Sequence, residues 1–197
     1  MLNLAERKKI YQIFSELFRY PDQRAQADYK QHVDDLSELL KLNVPEGLGQ
    51  VPSLSEIETA YTGLFVNSFG GTPAPPYGSV YLDPGGMLMG ESSLNVAACY
   101  AAENLNLQNS EEPPDFLATE LEFLYYLLDE EEAALRAGNM ARQAELKTRQ
   151  AEFIKDFLTS WVPQFCDRIA VKSADPFYLW VGEALQRFCA LEEQQAG

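Results

Sequence analysis

Apolar residues recur along this chain at intervals of three and four, the spacing that gathers them on one face of a helix. Ile10, Ile13, Phe14, Leu17 and Phe18 form the first such stripe. Tyr20-Pro21 ends it, because the residue before a proline avoids the α region. A second helix is predicted from Asp22 to Leu42, with Val33, Leu36, Leu39 and Leu40 facing inward, and Pro45, Gly47 and Gly49 break the chain after it. Ser53 and Glu56 stand at capping-box spacing and open a third helix with the stripe Leu54, Ile57, Tyr61, Leu64 and Phe65. Helical pattern resumes at Glu91, where Leu94, Val96, Ala97 and Tyr100 are packing positions. Asp115, after Pro113-Pro114, is a natural N-cap for a helix bearing Leu117, Leu121, Leu124 and Leu128. That helix runs into an acidic stretch, Asp129 to Glu132, which reads as a solvated face. Gly138-Asn139 marks a turn, and a further helix reaches Trp161, where Pro163 interferes. Asp175-Pro176 places a capping residue before a proline at the first helical position. The last helix follows, with Phe177, Trp180, Val181, Ala184 and Phe188 inward. No internal repeat and no run of alternating strand pattern is present. The pattern predicts an all-α protein, one globular bundle over residues 1–197, with about seven to nine helices.

One stretch breaks the periodicity. Residues 67–90 read NSFGGTPAPPYGSVYLDPGGMLMG, with six glycines and four prolines, and no helix is expected to persist through them. A loop longer than about 12–15 residues within a compact domain is usually functional or disordered. Phe69, Tyr77, Val80, Tyr81, Leu82, Met87 and Leu88 give this one apolar anchors. Aromatic side chains beside Pro and Gly make a rigid, partly apolar surface that an extended peptide or a helix can use. The other reading is a packed Ω-type loop that plugs the bundle.

Composition narrows the partners. The chain has 197 residues, 46% of them hydrophobic, and a formal net charge of −15. Such a surface disfavours nucleic acid, whose phosphates need Lys and Arg, and anionic membranes. It favours a basic partner, or serves solubility alone. The N-terminus does not resemble a signal peptide, and no apolar run approaches the length of a membrane span. A cytoplasmic protein without membrane insertion is expected.

Candidate chemistry is sparse. Cys99, Cys166 and Cys189 are odd in number and scattered, and the single histidine, His32, in a polar helical context with no Cys or His companion, reads as a surface residue. No metal site, cofactor or catalytic residue is therefore expected. Neither a phosphate-binding loop nor a nucleophile elbow appears. Glu120 falls about 60° from the Leu117 stripe at 100° per residue. It reads as a partly buried carboxylate, either tying helix ends together or acting as an acid. The enzymatic alternative is a small acidic hydrolase or nucleotide-dependent enzyme using Asp115 and Glu120. A helical adaptor without a client is a third reading.

Several motifs occur together in a fixed order: Tyr61-x-x-Leu64-Phe65, Pro76-Tyr77-Gly78-Ser79-Val80-Tyr81-Leu82, and Glu112-Pro113-Pro114-Asp115 followed by Glu120-Leu121-Glu122-Phe123-Leu124. Trp161-x-Pro163-x-Phe165 and Phe177-Tyr178 come later. Across nearly the whole chain this resembles the TorD/DmsD family, all-α cytoplasmic chaperones of molybdopterin oxidoreductases. The resemblance implies a chaperone rather than an enzyme. Its partners would be an apo molybdopterin oxidoreductase and the twin-arginine signal peptide of that client. It also implies a monomer or a domain-exchanged dimer, with a hinge over residues 108–115. The family's peptide-binding positions correspond to Pro76, Tyr77, Gly78, Ser79, Val80 and Asp115, with Tyr61, Leu64, Phe65, Tyr81 and Phe116 as neighbouring client contacts. Glu112, Pro113, Pro114 and Glu120 belong to its structural motif. Phe116 stands where the family usually has His, and Tyr77 where signal-peptide binders often have Trp. An acidic surface around an aromatic groove suits both the arginines and the apolar stretch of such a peptide.

Overall fold

The computed structural model describes residues 1–48, 50, 52–68, 71–105 and 112–196. Nine α-helices account for most of them: α1 (Leu4–Leu17), α2 (Gln23–Leu40), α3 (Leu54–Tyr61), α4 (Ser79–Leu82), α5 (Glu91–Ala102), α6 (Leu117–Arg136), α7 (Met140–Phe153), α8 (Val162–Lys172) and α9 (Pro176–Ala196). The π-helical turns Thr62–Val66 and Ile154–Leu158 extend α3 and α7. Among the described residues the only extended pairing is an isolated antiparallel bridge between Tyr77 and Phe116. No helix among them is long and apolar enough to cross a membrane. The break at Gly49, the anchor Phe69 and positions 108–111 of the expected hinge lie outside the described residues.

Local signals start several helices. Asn3 and Glu6 form a capping box at α1, as Ser53 and Glu56 do at α3. Asn139 accepts the Arg142 N–H at the start of α7, and Asp175 accepts the Tyr178 N–H at the start of α9. The long α6 lies between α1 and α7, while α2 packs on α1 and α9, and α8 on α9. One continuous apolar cluster fills the space between them, including Phe14, Phe18, Leu121, Leu124, Phe165 and Phe188, all 0% exposed. The predicted stripes of α1 and α9 are buried throughout. A buried ion pair clips these two helices together: Arg7 donates twice to Glu192, at 2.8 and 2.6 Å, and the Tyr11 hydroxyl donates to the same carboxylate.

Five expectations need correction. The chain re-enters a helix, α8, directly after Trp161, because a proline in the first helical turn forfeits no backbone hydrogen bond. The acidic run is not wholly solvated. Glu131 is buried and accepts from Gln150, and Lys8 spans Asp129 and Glu132. Leu94 is 69% exposed, so α5 packs through Val96 and Tyr100 instead. His32 is largely covered rather than a surface residue, with Nε2 2.9 Å from a Glu16 carboxylate oxygen. The loop of residues 67–90 contains a one-turn helix, α4, and the later of its expected anchors are not anchors: Met87 and Leu88 are 67 and 54% exposed. Gly85 and Gly86 take left-handed backbone there, at φ +79° and +64°, which turns these side chains outward at little steric cost.

Candidate functional site

Four separated segments converge on one groove of about 980 Å³. The end of α1 supplies Arg19 and Tyr20. The end of α3 and its π-turn supply Tyr61, Phe65 and Val66. The loop before α4 supplies Pro75, Pro76 and Tyr77, and the start of α6 supplies Phe116, Thr119 and Glu122. Thr72, Val80, Gly86, Leu88 and Glu112 complete the lining. The floor is aromatic. Tyr20 meets Tyr61 edge-on at 5.5 Å, and Tyr77 lies 5.5 Å from Phe116. Glu112 and Glu122 are among the residues that line the groove. The Tyr77 hydroxyl donates to Glu112 at 2.8 Å, and the Tyr61 hydroxyl to the Phe18 carbonyl at 2.9 Å.

The wall holding Tyr77 is built on backbone pairing. The Gly78 N–H donates to the Asp115 carbonyl, and the Leu117 N–H to the Pro76 carbonyl, each at 2.9 Å. Residues 76–78 are thereby stitched to the entry of α6. The predicted capping role of Asp115 needs correction. α6 begins without a side-chain cap. Asp115 instead accepts the Ser79 N–H at 2.7 Å and the Ser93 hydroxyl at 2.6 Å, so it caps α4 and ties it to α5. The physical reason is orientation: a carboxylate caps whichever free N–H group packing brings to it, and here that is Ser79. Asp83 repeats the device at the start of α5, accepting from the Ser92 N–H and hydroxyl.

Beneath the wall lies a second polar layer. Glu120 is 1% exposed and accepts from the Trp161 indole N–H at 3.2 Å. Burial pushes the Glu120 carboxyl well above its ordinary range, and the nearby Asp115 charge pushes the same way, against the indole hydrogen bond. Tyr81 stacks on Trp161 at 5.3 Å, donates its hydroxyl to the Pro75 carbonyl, and carries the Arg168 guanidinium over its outer face at 4.6 Å. A side chain at Gly78 would meet this layer, since an added Cβ would stand 3.1 Å from Trp161 Nε1.

The expected client-binding residues therefore divide into two groups. Tyr61, Phe65, Pro76, Tyr77, Val80 and Phe116 line the groove, whereas Leu64, Gly78, Ser79, Tyr81 and Asp115 do not line it and shape it from behind. Within the structural motif, Glu112 is on the groove, Pro114 holds the Tyr100 hydroxyl with its carbonyl, and Glu120 is a buried carboxyl group joining two elements. Arg19, Tyr20, Val66, Thr119 and Glu122 are groove residues that sequence reasoning missed as site residues. Neither Asp115 nor Glu120, the acids of the enzymatic alternative, reaches the groove. Among the described residues no group of three or more His, Cys, Asp or Glu is placed to hold a metal ion. Cys166 and Cys189 are buried, and burial drives the Cys166 thiol up to about 12.

The fold is a helical bundle with a preformed, largely aromatic groove, a geometry of the class that peptide- and helix-binding proteins use. The comparison with known proteins makes the class specific. The family described as nitrate reductase delta subunit matches residues 22–167, and the chain belongs to this family of TorD/DmsD-type proteins. The Chaperone protein TorD of Vibrio parahaemolyticus is 28% identical over 123 residues, 60% of this chain and 54% of that one. That of Vibrio cholerae El Tor is 32% identical over 117 residues, 57% and 50% of the two chains. That of a Psychrobacter species is 30% identical over 122 residues, 60% and 52%. The chain spans about half the length of the curated relatives it matches. A solved redox enzyme maturation protein from Archaeoglobus fulgidus shares the fold, with a TM-score of 0.64 and 23% identity over 93% of each chain.

Proposed function

We propose that this chain is a cytoplasmic chaperone for a molybdopterin oxidoreductase. In this reading it binds the client's twin-arginine signal peptide in the groove and holds the apo enzyme until its cofactor is inserted. It performs no catalysis of its own. One observation carries the reading: the groove is lined by aromatic side chains and carboxylates together. Arginine is matched by both parts, since a guanidinium pairs with carboxylate and lies flat on aromatic rings. The apolar stretch that follows the arginines gains from the same rings by losing water. The acidity of the whole chain, −15, speeds encounter with a basic segment. The kinship with TorD chaperones supports the client class.

The test is calorimetric titration of a synthetic peptide, two adjacent arginines followed by an apolar stretch, into wild type and Tyr77→Ala at low and high salt. Tyr77 is half-buried on the wall, against Phe116 and Glu112. Its truncation should cost about 2 kcal/mol if it is an anchor, roughly a thirtyfold loss of affinity. Raising salt should weaken both proteins, because exposed attractions are screened over about 8–10 Å. Equal binding by the two proteins would remove the groove as the recognition surface.

A further inference from the structure

The groove already contains a guanidinium. Arg19 is the one basic residue among the described residues lining it. It meets Glu122 in fork-to-fork fashion, donating from Nε to one carboxylate oxygen at 3.2 Å and from Nη2 to the other at 2.6 Å. This is the planar, two-bond arrangement that arginine makes with carboxylates and lysine cannot. The neighbouring residue, Tyr20, forms part of the aromatic floor with Tyr61. Both partners are accessible, with side chains 46% and 49% exposed, so an incoming guanidinium can compete for the carboxylate without unfolding anything. On an exposed pair the attraction is small and readily exchanged.

We propose that Glu122 is an arginine-receiving subsite of the groove and that Arg19 is its resident competitor, displaced when a peptide arginine binds. This rests on the reading of the groove given above and deepens it. The same carboxylate cannot make two bidentate pairs at once, so an arginine that takes Glu122 by two hydrogen bonds must first release Arg19. The built-in pair raises the threshold for occupancy: single stray cations are disfavoured, while a segment with two adjacent arginines and an apolar tail has enough further contacts to exchange it. Recognition is then specific for guanidinium over ammonium, because the pair being replaced is itself bidentate.

The experiment is titration of the same synthetic peptide into wild type, Arg19→Gln, Glu122→Gln, the double variant and Arg187→Gln. Arg187 is exposed on α9 and outside the groove lining, so Arg187→Gln reports the effect of simply removing one positive charge. Arg19→Gln should bind about two- to fivefold more tightly than wild type at low salt, the range that releasing an exposed ion pair allows. Arg187→Gln should show a smaller gain. Glu122→Gln should bind more weakly, and in its background Arg19→Gln should gain no more than Arg187→Gln does. If wild type binds and Arg19→Gln gains no more than Arg187→Gln, Arg19 is not a competitor and the proposal falls while the groove reading stands. If no variant binds the peptide, the groove reading falls and takes this proposal with it.

Discussion

Glu120→Gln isolates the energetics of the buried layer under the groove. The wild-type carboxyl is 1% exposed, has the Trp161 indole as its hydrogen-bond donor, and lies near Asp115. Burial and that neighbouring charge both favour the protonated form. In the unfolded chain the group titrates near its ordinary 4.5. An acid whose folded pKa exceeds its unfolded value keeps a proton that the unfolded chain has released. The stability contributed by Glu120 is therefore complete below pH 4.5 and is lost as pH rises toward the folded value, by about 1.4 kcal/mol per pH unit. Glutamine is nearly isosteric, its carbonyl can accept from Trp161, and it does not titrate. Its amide introduces two buried N–H donors, and each one left unsatisfied costs about 1–3 kcal/mol, but that cost is independent of pH. The difference in stability between variant and wild type should thus move in favour of Glu120→Gln from pH 5 to pH 8, whatever its offset. Urea unfolding of both proteins at four pH values measures it, and groups unaffected by the substitution cancel in the difference. Parallel stability profiles over that range would refute the claim that burial holds the Glu120 carboxyl above its ordinary range.

Two further substitutions test the wall of the groove. Asp115→Ala should destabilise by about 2–5 kcal/mol in urea unfolding, because it strands the buried Ser79 N–H and Ser93 hydroxyl together; a loss under 1 kcal/mol would mean that neither bond carries weight. Gly78→Ala should cost about 1–3 kcal/mol by overpacking, since the new methyl would stand 3.1 Å from Trp161 Nε1 and 3.4 Å from Glu120 Oε1; an unchanged unfolding midpoint would show that the indole simply moves aside.

Much of the helical plan was legible in the sequence. The stripes of α1 and α9, the capping box at Ser53 and Glu56, and the start of α9 at Asp175 arise from groups within a few residues of one another. Local chain geometry brings such groups together before any tertiary contact forms. The motifs that resemble the TorD/DmsD family pointed to Tyr77, Pro76 and Phe116, and these do line the groove. Pro163 misled because the same residue breaks a helix interior and suits a helix start, and its local sequence does not tell the two apart.

What the tertiary structure alone decided is which partner each ambiguous group meets. Asp115 had a helix start two residues away and caps another one 36 residues distant in sequence. Glu131 sits within an acidic run and turns inward to Gln150, while Glu132, about 100° further round the helix, reaches Lys8. Arg19 and Glu122, separated by 103 positions, meet because α1 packs along α6. Hydrophobic periodicity states that a face is buried but not against what, since burial is nearly indifferent to the identity of the apolar neighbour. Hydrogen bonds and ion pairs need a particular partner within about 3 Å, and distances of that kind exist only after the helices have packed.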